Sequence, residues 1–138
     1  MWFLSPNVAL TYQQAKVIRR GLGDAYIVKA LTGNDKVDTW KSQKVWTDAL
    51  LNVNVVVCTY QVLLDALIHG FVSLAGVSLL VFDEAHHCNG KAAANGIMQR
   101  FYHVQKLEHG TASSSTDLPV ILGLSASPVT RQGAKGLQ

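Results

Sequence analysis

Short apolar runs alternate with longer stretches of helical periodicity along nearly the whole chain. The apolar runs predict five strands, at residues 2–4, 25–31, 53–58, 77–82 and 120–124. The stretches between them predict four helices, at residues 6–20, 39–51, 60–69 and 91–106. Gly21 is the expected stop of the first helix, and Asp38 or Thr39 is the expected cap of the second, with Val45 on its apolar side. In the fourth helix Ile97 and Val104 are expected to face inward. This alternation indicates an α/β fold with a parallel sheet and right-handed crossovers.

The composition supports a single compact domain. The chain has 138 residues, of which 49% are hydrophobic and 15% are charged. This excess of apolar side chains predicts a sheet that is buried on both faces and excludes a disordered or coiled-coil chain. The formal net charge of +3 permits nucleic-acid binding but does not require it.

Cysteine usage and hydropathy indicate where the protein resides. Cys58 and Cys88 are far apart and belong to no CxxC pair, so we expect reduced thiols in an intracellular protein. No apolar run approaches the roughly 18 to 20 residues of a membrane span, and the first residues do not resemble a signal peptide. The expected location is the cytosol or the nucleus.

The predicted strand at residues 77–82 ends in two adjacent carboxylates, Asp83 and Glu84, within the sequence Asp-Glu-Ala-His. Parallel sheets bind ligands at the carboxyl ends of their strands. A carboxylate such as Asp83 suits the Mg²⁺ that accompanies a nucleoside triphosphate, and Glu84 can deprotonate an attacking water. The simpler alternative is a solvated strand end that is acidic by chance, and the buried strand before it weighs against that alternative.

A second polar segment, Ser125-Ala126-Ser127, follows the last predicted strand. Small hydroxyl residues at this position allow close approach and hydrogen bonding to the acidic loop, notably to His86. Alone, the segment is typical of a common serine-rich turn. Its place one helix and one strand after the acidic pair favours a functional role.

Together, these segments resemble the motifs of superfamily 2 helicases. Residues 83–86, a DEAH box, and residues 125–127 are similar to motifs II and III, and residues 3–14 are similar to motif Ia. Thr32-Gly33 and residues 57–61 resemble the next two nucleic-acid-contacting motifs. Within the superfamily, the sequences Pro-Asn-Val-Ala-Leu and His-His-Cys are most similar to the helicase domain of fungal Dicer-like ribonucleases.

The resemblance spans Trp2 to Arg131 and implies an incomplete RecA-like domain, motif Ia through motif III, over residues 1–138. It implies that Asp83 binds Mg²⁺, that Glu84 is the catalytic base, and that His86 and motif III couple hydrolysis to strand movement. The implied contacts to the nucleic-acid backbone are Ser5, Thr32, Gly33 and Thr59. Thr59 also reads equally well as a plain helix cap.

The sequence departs from the family pattern at the phosphate-binding loop. Its one Gly-Lys pair, Gly90-Lys91, is followed by Ala92 and lies after the DEAH box, so it does not match. In the family the loop precedes motif Ia, its strand lies beside the motif III strand, and a second RecA-like domain follows in cis. We therefore expect ATP and Mg²⁺ to act in a complete parent protein, and we expect neither ATPase activity nor a bound cofactor for this chain alone.

Three functions remain open from the sequence. The first is a fragment of the ATP-dependent RNA helicase domain of a Dicer-like endoribonuclease, which processes double-stranded RNA in RNA silencing. The second is a non-enzymatic RNA-binding fragment, and the third is a fragment of a DNA translocase or restriction-type motor. No membrane partner is expected.

Two smaller features have alternative explanations. Asp83, His86, His87 and Cys88 include metal-binding side chains, but adjacent residues rarely converge on one ion, so we do not favour a zinc site. Trp40 and Trp46, with Lys41 and Lys44, are compatible with a base-stacking surface. We favour packing of the tryptophans between a helix and the sheet.

Overall fold

The computed structural model describes residues 1–85, 93–109 and 118–125. Its centre is a parallel five-stranded sheet in the order β2-β3-β1-β4-β5. The strands are β1 (Trp2–Ser5), β2 (Val28–Leu31), β3 (Val55–Thr59), β4 (Leu79–Phe82) and β5 (Val120–Gly123). The predicted parallel α/β sheet is confirmed.

Helices connect the strands. They are α1 (Val8–Leu22), α2 (Gln43–Leu50), α3 (Tyr60–Ile68), α4 (Ala93–Ile97) and α5 (His103–His109). A π-helical turn, Met98–Tyr102, joins α4 to α5. Single 3-10 turns lie at Gly23–Ala25, Gly33–Asp35, Val37–Thr39 and Leu74–Gly76.

Both faces of the sheet carry apolar core. On one face Phe3, Val57 and Val81 pack with Ala15 of α1. The larger cluster on the other face joins alternate strand residues to buried side chains of α2, α3 and α4: Leu4, Cys58, Leu80, Trp46, Leu63 and Ile97. Side chains alternate between the faces of a strand, so a sheet covered on both sides needs continuous apolar runs, which explains the sequence pattern.

The first helix begins later and ends later than predicted. Ser5 remains in β1, and Asn7 caps α1 by accepting a hydrogen bond from the Leu10 N–H at 2.9 Å. At the other end Gly23, not Gly21, ends the helix with a positive φ of 69°. Gly21 stays helical because the stop requires positive φ only at the residue after the last turn.

The predicted start of the second helix at Asp38 or Thr39 is wrong. Residues 37–39 form a 3-10 turn, and α2 begins after Ser42, whose hydroxyl accepts from the Val45 N–H at 3.3 Å. Trp46 is buried, whereas Val45, predicted on the apolar side, is 41% exposed. Adjacent helical residues point about 100° apart, and burial of the larger Trp46 turns Val45 outward.

The helix predicted at residues 91–106 is present, but its second half turns a different face to the core than predicted. Residues 91–92 lie outside the described residues, and Ile97 is fully buried as expected. Val104, expected to face inward, is 43% exposed. The π-helical turn at Met98–Tyr102 adds a residue to one turn and thereby rotates the following helix out of the predicted register.

Strand β5 lies at an edge of the sheet. In the described part of the chain it pairs with β4 alone. Its alternate apolar side chains are open to solvent, with Val120 67% and Leu122 46% exposed. An apolar strand with an unpaired edge can pair with another chain.

We expect the isolated chain to associate through this edge. Leu122→Lys places a charge on the open strand and should reduce the apparent mass in light scattering at a given concentration. Val17→Lys is the matched control, because Val17 is 58% exposed but lies on α1, away from the sheet edge. A monodisperse wild-type chain that melts cooperatively as a monomer would contradict this expectation.

Candidate functional site

One row of paired residues crosses all five strands at their carboxyl ends. Leu31 pairs with Cys58, Cys58 with Leu4, Leu4 with Phe82, and Phe82 with Gly123. The residue that follows this row in each segment lies at the carboxyl end of its strand, and in β1 and β3 it is still the last residue of the strand. These residues are Thr32, Thr59, Ser5, Asp83 and Leu124. Segments distant in the sequence are thus brought together by the strand register.

Asp83 is fixed from several sides. Its N–H donates to the Leu4 carbonyl at 2.8 Å, which extends the pairing of β1 and β4 by one residue. The Tyr60 hydroxyl donates to the Asp83 carbonyl. One carboxylate oxygen accepts from the Glu84 N–H at 3.0 Å, and the other accepts from the Gln14 amide at 3.4 Å. The carboxylate is therefore held at the strand end by its own loop and by α1.

Glu84 has an unusual backbone conformation. Its φ is 53°, in the left-handed region that non-glycine residues seldom occupy. This conformation costs about 1 kcal/mol or more for a residue with a Cβ atom. The hydrogen bond of its N–H to the Asp83 side chain and the bond of the next residue to β5 hold it there. Such strain is often found at functional positions.

The acidic loop is joined directly to the end of β5. The Ala85 N–H donates to the Leu124 carbonyl at 2.7 Å, and the Leu124 N–H donates to the Phe82 carbonyl at 2.8 Å. A Cβ atom on Gly123 would lie 3.2 Å from the Ala85 methyl, so glycine permits this close approach. Ser125 is exposed beside this junction. His86, Ala126 and Ser127, predicted to interact here, lie outside the described residues.

Two of the predicted nucleic-acid contacts have buried side chains. Ser5 and Thr32 are fully buried. The Thr32 hydroxyl lies 2.9 Å from both the Asp35 carboxylate and the Tyr12 hydroxyl, and it accepts from the Asn34 N–H at 3.2 Å. These bonds shape the turn that follows β2, so the side chain of Thr32 has a local structural role.

Gly33 and Thr59 are more accessible. Gly33 is exposed, and no atom lies within 4 Å of the position that a Cβ atom would take. Thr59 is partly buried and caps α3 by accepting from the Val62 N–H at 3.3 Å, which confirms its predicted cap. An uncrowded glycine and a helix N-terminus offer backbone N–H groups to an anion such as a phosphate.

Trp46 and Cys58 have structural roles in the core. Trp46 is buried and meets the Trp40 ring edge-on at 5.0 Å, while Lys44 pairs with Asp48 on the exposed face of α2. Cys58 is fully buried, which raises the pKa of its thiol and keeps it neutral. Cys88 and the histidines of the hypothetical zinc cluster lie outside the described residues.

Neither Gln14 nor Tyr60 was singled out from the sequence, although both contact Asp83. The signal was present, since both occur inside the stretches that resemble helicase motifs. Their partner lies 69 and 23 positions away, respectively, and helical periodicity alone does not reveal such a contact.

Comparison with known proteins identifies the family. The sequence profile of DEAD/DEAH box helicases matches residues 1–133. The chain belongs to the DEAD/DEAH box helicase family. The helicase domain of Pyrococcus furiosus Hef has a similar structure, with a TM-score of 0.68 and 34% identity over 94% of this chain and 24% of that one. The predicted RecA-like helicase fold is thereby confirmed.

Fungal relatives are more similar in sequence. Dicer-like protein 2 of Coccidioides immitis is 52% identical over 95% of this chain, and that of Cryphonectria parasitica is 46% identical over all of it. The chain spans 9% of the length of each of these relatives. The resemblance to the helicase part of Dicer-like proteins is confirmed.

Among the described residues, no helix is long and apolar enough to cross a membrane.

The strain at Glu84 gives a test of the site geometry. Glu84→Gly should be about 1 kcal/mol more stable to unfolding than Glu84→Ala, because both lack the carboxylate and only glycine tolerates positive φ without a steric penalty. Urea denaturation followed by tryptophan fluorescence at low protein concentration measures the difference. Equal stability of the two variants would show that the left-handed conformation is absent.

Proposed function

We propose that this chain forms part of the ATP-dependent helicase domain of a Dicer-like endoribonuclease that processes double-stranded RNA in RNA silencing. The observation that carries the proposal is the row of motif residues at one sheet edge, centred on Asp83. The 52% identity to a Dicer-like protein 2 favours this type of helicase over others. The expected location stays the cytosol or the nucleus.

In this proposal Asp83 holds Mg²⁺ together with the phosphates of ATP, the nucleotide and ion that the family generally uses. The side chain of Asp83 suits a metal ion. Among the described residues, each of its carboxylate oxygens accepts one hydrogen bond and has a further lone pair for the ion or its waters. Mg²⁺ with ATP makes the terminal phosphate easier to attack by neutralising its charge. The bonds from Gln14 and Tyr60 orient Asp83 before the ion arrives.

Glu84 acts as the catalytic base. Glu84 directly follows Asp83 in the sequence, at the carboxyl end of a buried strand, and so offers a second carboxylate next to the first along the chain. A carboxylate there can orient the attacking water and accept its proton. The strained backbone at Glu84 supports this role, because backbone strain is often retained at functional positions.

Contact with the nucleic acid uses the other residues at the carboxyl ends of the same strands. Gly33 and the N-terminus of α3 at Thr59 contact the sugar-phosphate backbone, while the buried Ser5 and Thr32 shape the loops that present them. Motif III, at residues 125–127, and His86 relay the state of the nucleotide to this edge. The bond from Ala85 to Leu124 already joins the two motifs on the side of β5.

The complete motor requires elements that we assign to the parent protein. These are a phosphate-binding loop ahead of motif Ia and a second RecA-like domain in cis, which supplies the other wall of the ATP site. We therefore expect the 138-residue chain alone to have no ATPase activity.

Glu84→Gln in the full-length protein should abolish ATP turnover and leave RNA affinity unchanged, because the amide keeps the shape of the side chain but does not accept a proton. RNA-stimulated phosphate release and RNA binding are measured on the same preparation. Asp48→Asn is the matched control, since it makes the same change on the exposed face of α2. It should leave turnover intact.

The outcomes separate the competing functions. Turnover retained by Glu84→Gln would refute the role of Glu84. Stimulation by duplex DNA but not by duplex RNA would favour a DNA motor. RNA binding by a full-length protein that never hydrolyses ATP would favour a non-enzymatic RNA-binding function.

A further inference from the structure

A cavity of about 340 Å³ opens at the carboxyl edge of β2 and β3. It lies between the turn at Val37–Thr39 and helix α3. Its volume falls within the range of pockets that hold small ligands. The cavity is separate from Asp83 and Glu84, neither of which lines it.

The inner wall of this cavity is aromatic. Trp40 and Phe71 are partly exposed to it, and both contact the buried Trp46, with ring centroids 5.0 and 6.1 Å from it. His69 stacks on Phe71 with an interplanar angle of 7°. The Lys29 ammonium lies 5.9 Å from the centre of the Trp40 ring. These rings form a fixed set of flat surfaces that suits a flat apolar group.

The rim carries hydrogen-bonding groups but no excess of positive charge. Asp38 and Asp65 supply two carboxylates, and Lys41 on the rim and Lys29 beside the Trp40 ring supply two ammonium groups. These charges balance, so the charge of the cavity does not favour a phosphate over a neutral group. The Gln61 amide donates to Asp65 at 2.8 Å, so an amide and a carboxylate stand side by side at the opening. Such a pair can accept from and donate to the polar edge of a neutral ring.

The cavity adjoins the predicted backbone contacts. Gly33 and Thr59 line it from the strand side, at the ends of β2 and β3. A strand whose phosphates lie on these two residues has its bases within reach of the aromatic wall. Proteins that bind unpaired RNA commonly stack a base on aromatic side chains.

We propose that the cavity between the Val37–Thr39 turn and α3 binds one unpaired nucleobase of the RNA strand whose backbone lies on Gly33 and Thr59. The base stacks against Trp40 and Phe71, and its polar edge meets Gln61 and Asp65. This inference rests on the proposed RNA-binding function and adds a base contact to an interface otherwise made through the backbone.

Photocrosslinking in the full-length protein tests the proposal. A set of single-stranded RNAs is prepared in which each RNA carries one 5-iodouridine at a different position. Each RNA is irradiated with the protein, and the crosslinked residue is identified by mass spectrometry. One position should crosslink to Trp40 or Phe71. An abasic nucleotide at that position should weaken binding about tenfold, the size expected for loss of one base-aromatic stack.

Variants separate a base pocket from a structural role. Trp40→Ala should abolish both the crosslink and the abasic effect, and Trp40→Phe should restore them. Gln61 is exposed, so Gln61→Ala leaves the aromatic wall intact. This variant should change the preference among the four bases without weakening the binding of the abasic RNA. Lys44→Ala is the control, because Lys44 lies on α2 but does not line the cavity.

The result that would overturn this inference differs from the result that would overturn the proposed function. RNA that binds and crosslinks only outside the cavity, with equal abasic effects at every position, would overturn this inference and leave the proposed function standing. Binding of duplex RNA but not of single-stranded RNA would likewise overturn this inference alone, whereas absence of binding to both by the full-length protein would overturn the proposed function and this inference with it.

Discussion

The parallel register of the sheet is the constraint on which the rest of the structure depends. Leu31, Cys58, Leu4, Phe82 and Gly123 form one row, so five strand connections leave the sheet at the same level. A slip of one residue in any strand would exchange the side chains on its two faces, disrupt their packing against the helices and move its motif away from the common edge. Continuous burial on both faces therefore fixes the site as well as the core.

The same edge divides into two regions of different chemistry. Around Asp83, backbone bonds to β1 and to the end of β5 and side-chain bonds from α1 and α3 hold the Asp83 carboxylate, which suits a metal ion with phosphates. Around Gly33 and Thr59, an accessible glycine, a helix N-terminus and an aromatic cavity suit a polynucleotide strand. Helices α1 and α3 connect the two regions, because Gln14 and Tyr60 contact Asp83 while Tyr12 bonds to Thr32 and Thr59 caps α3.

The sequence predicted the strands, their parallel arrangement and the positions of the motifs, because buried strands leave apolar runs and the acidic pair follows one of them. It did not predict the ends of α1 and α2, where the choice among Asn7, Ser42 and other possible caps depends on tertiary packing. The exposure of Val104 depends on a π-helical turn that has no sequence signature. The cavity near Trp40 was also missed, because it arises only when a turn after β2 meets α3.

The most direct test of the central claim is sequencing of the native transcript across both ends of this reading frame. We expect the reading frame to continue upstream into a Gly-Lys-Thr phosphate-binding loop. Downstream we expect a second RecA-like domain and paired ribonuclease III domains. A transcript whose reading frame encodes only these 138 residues would contradict the assignment to a Dicer-like motor.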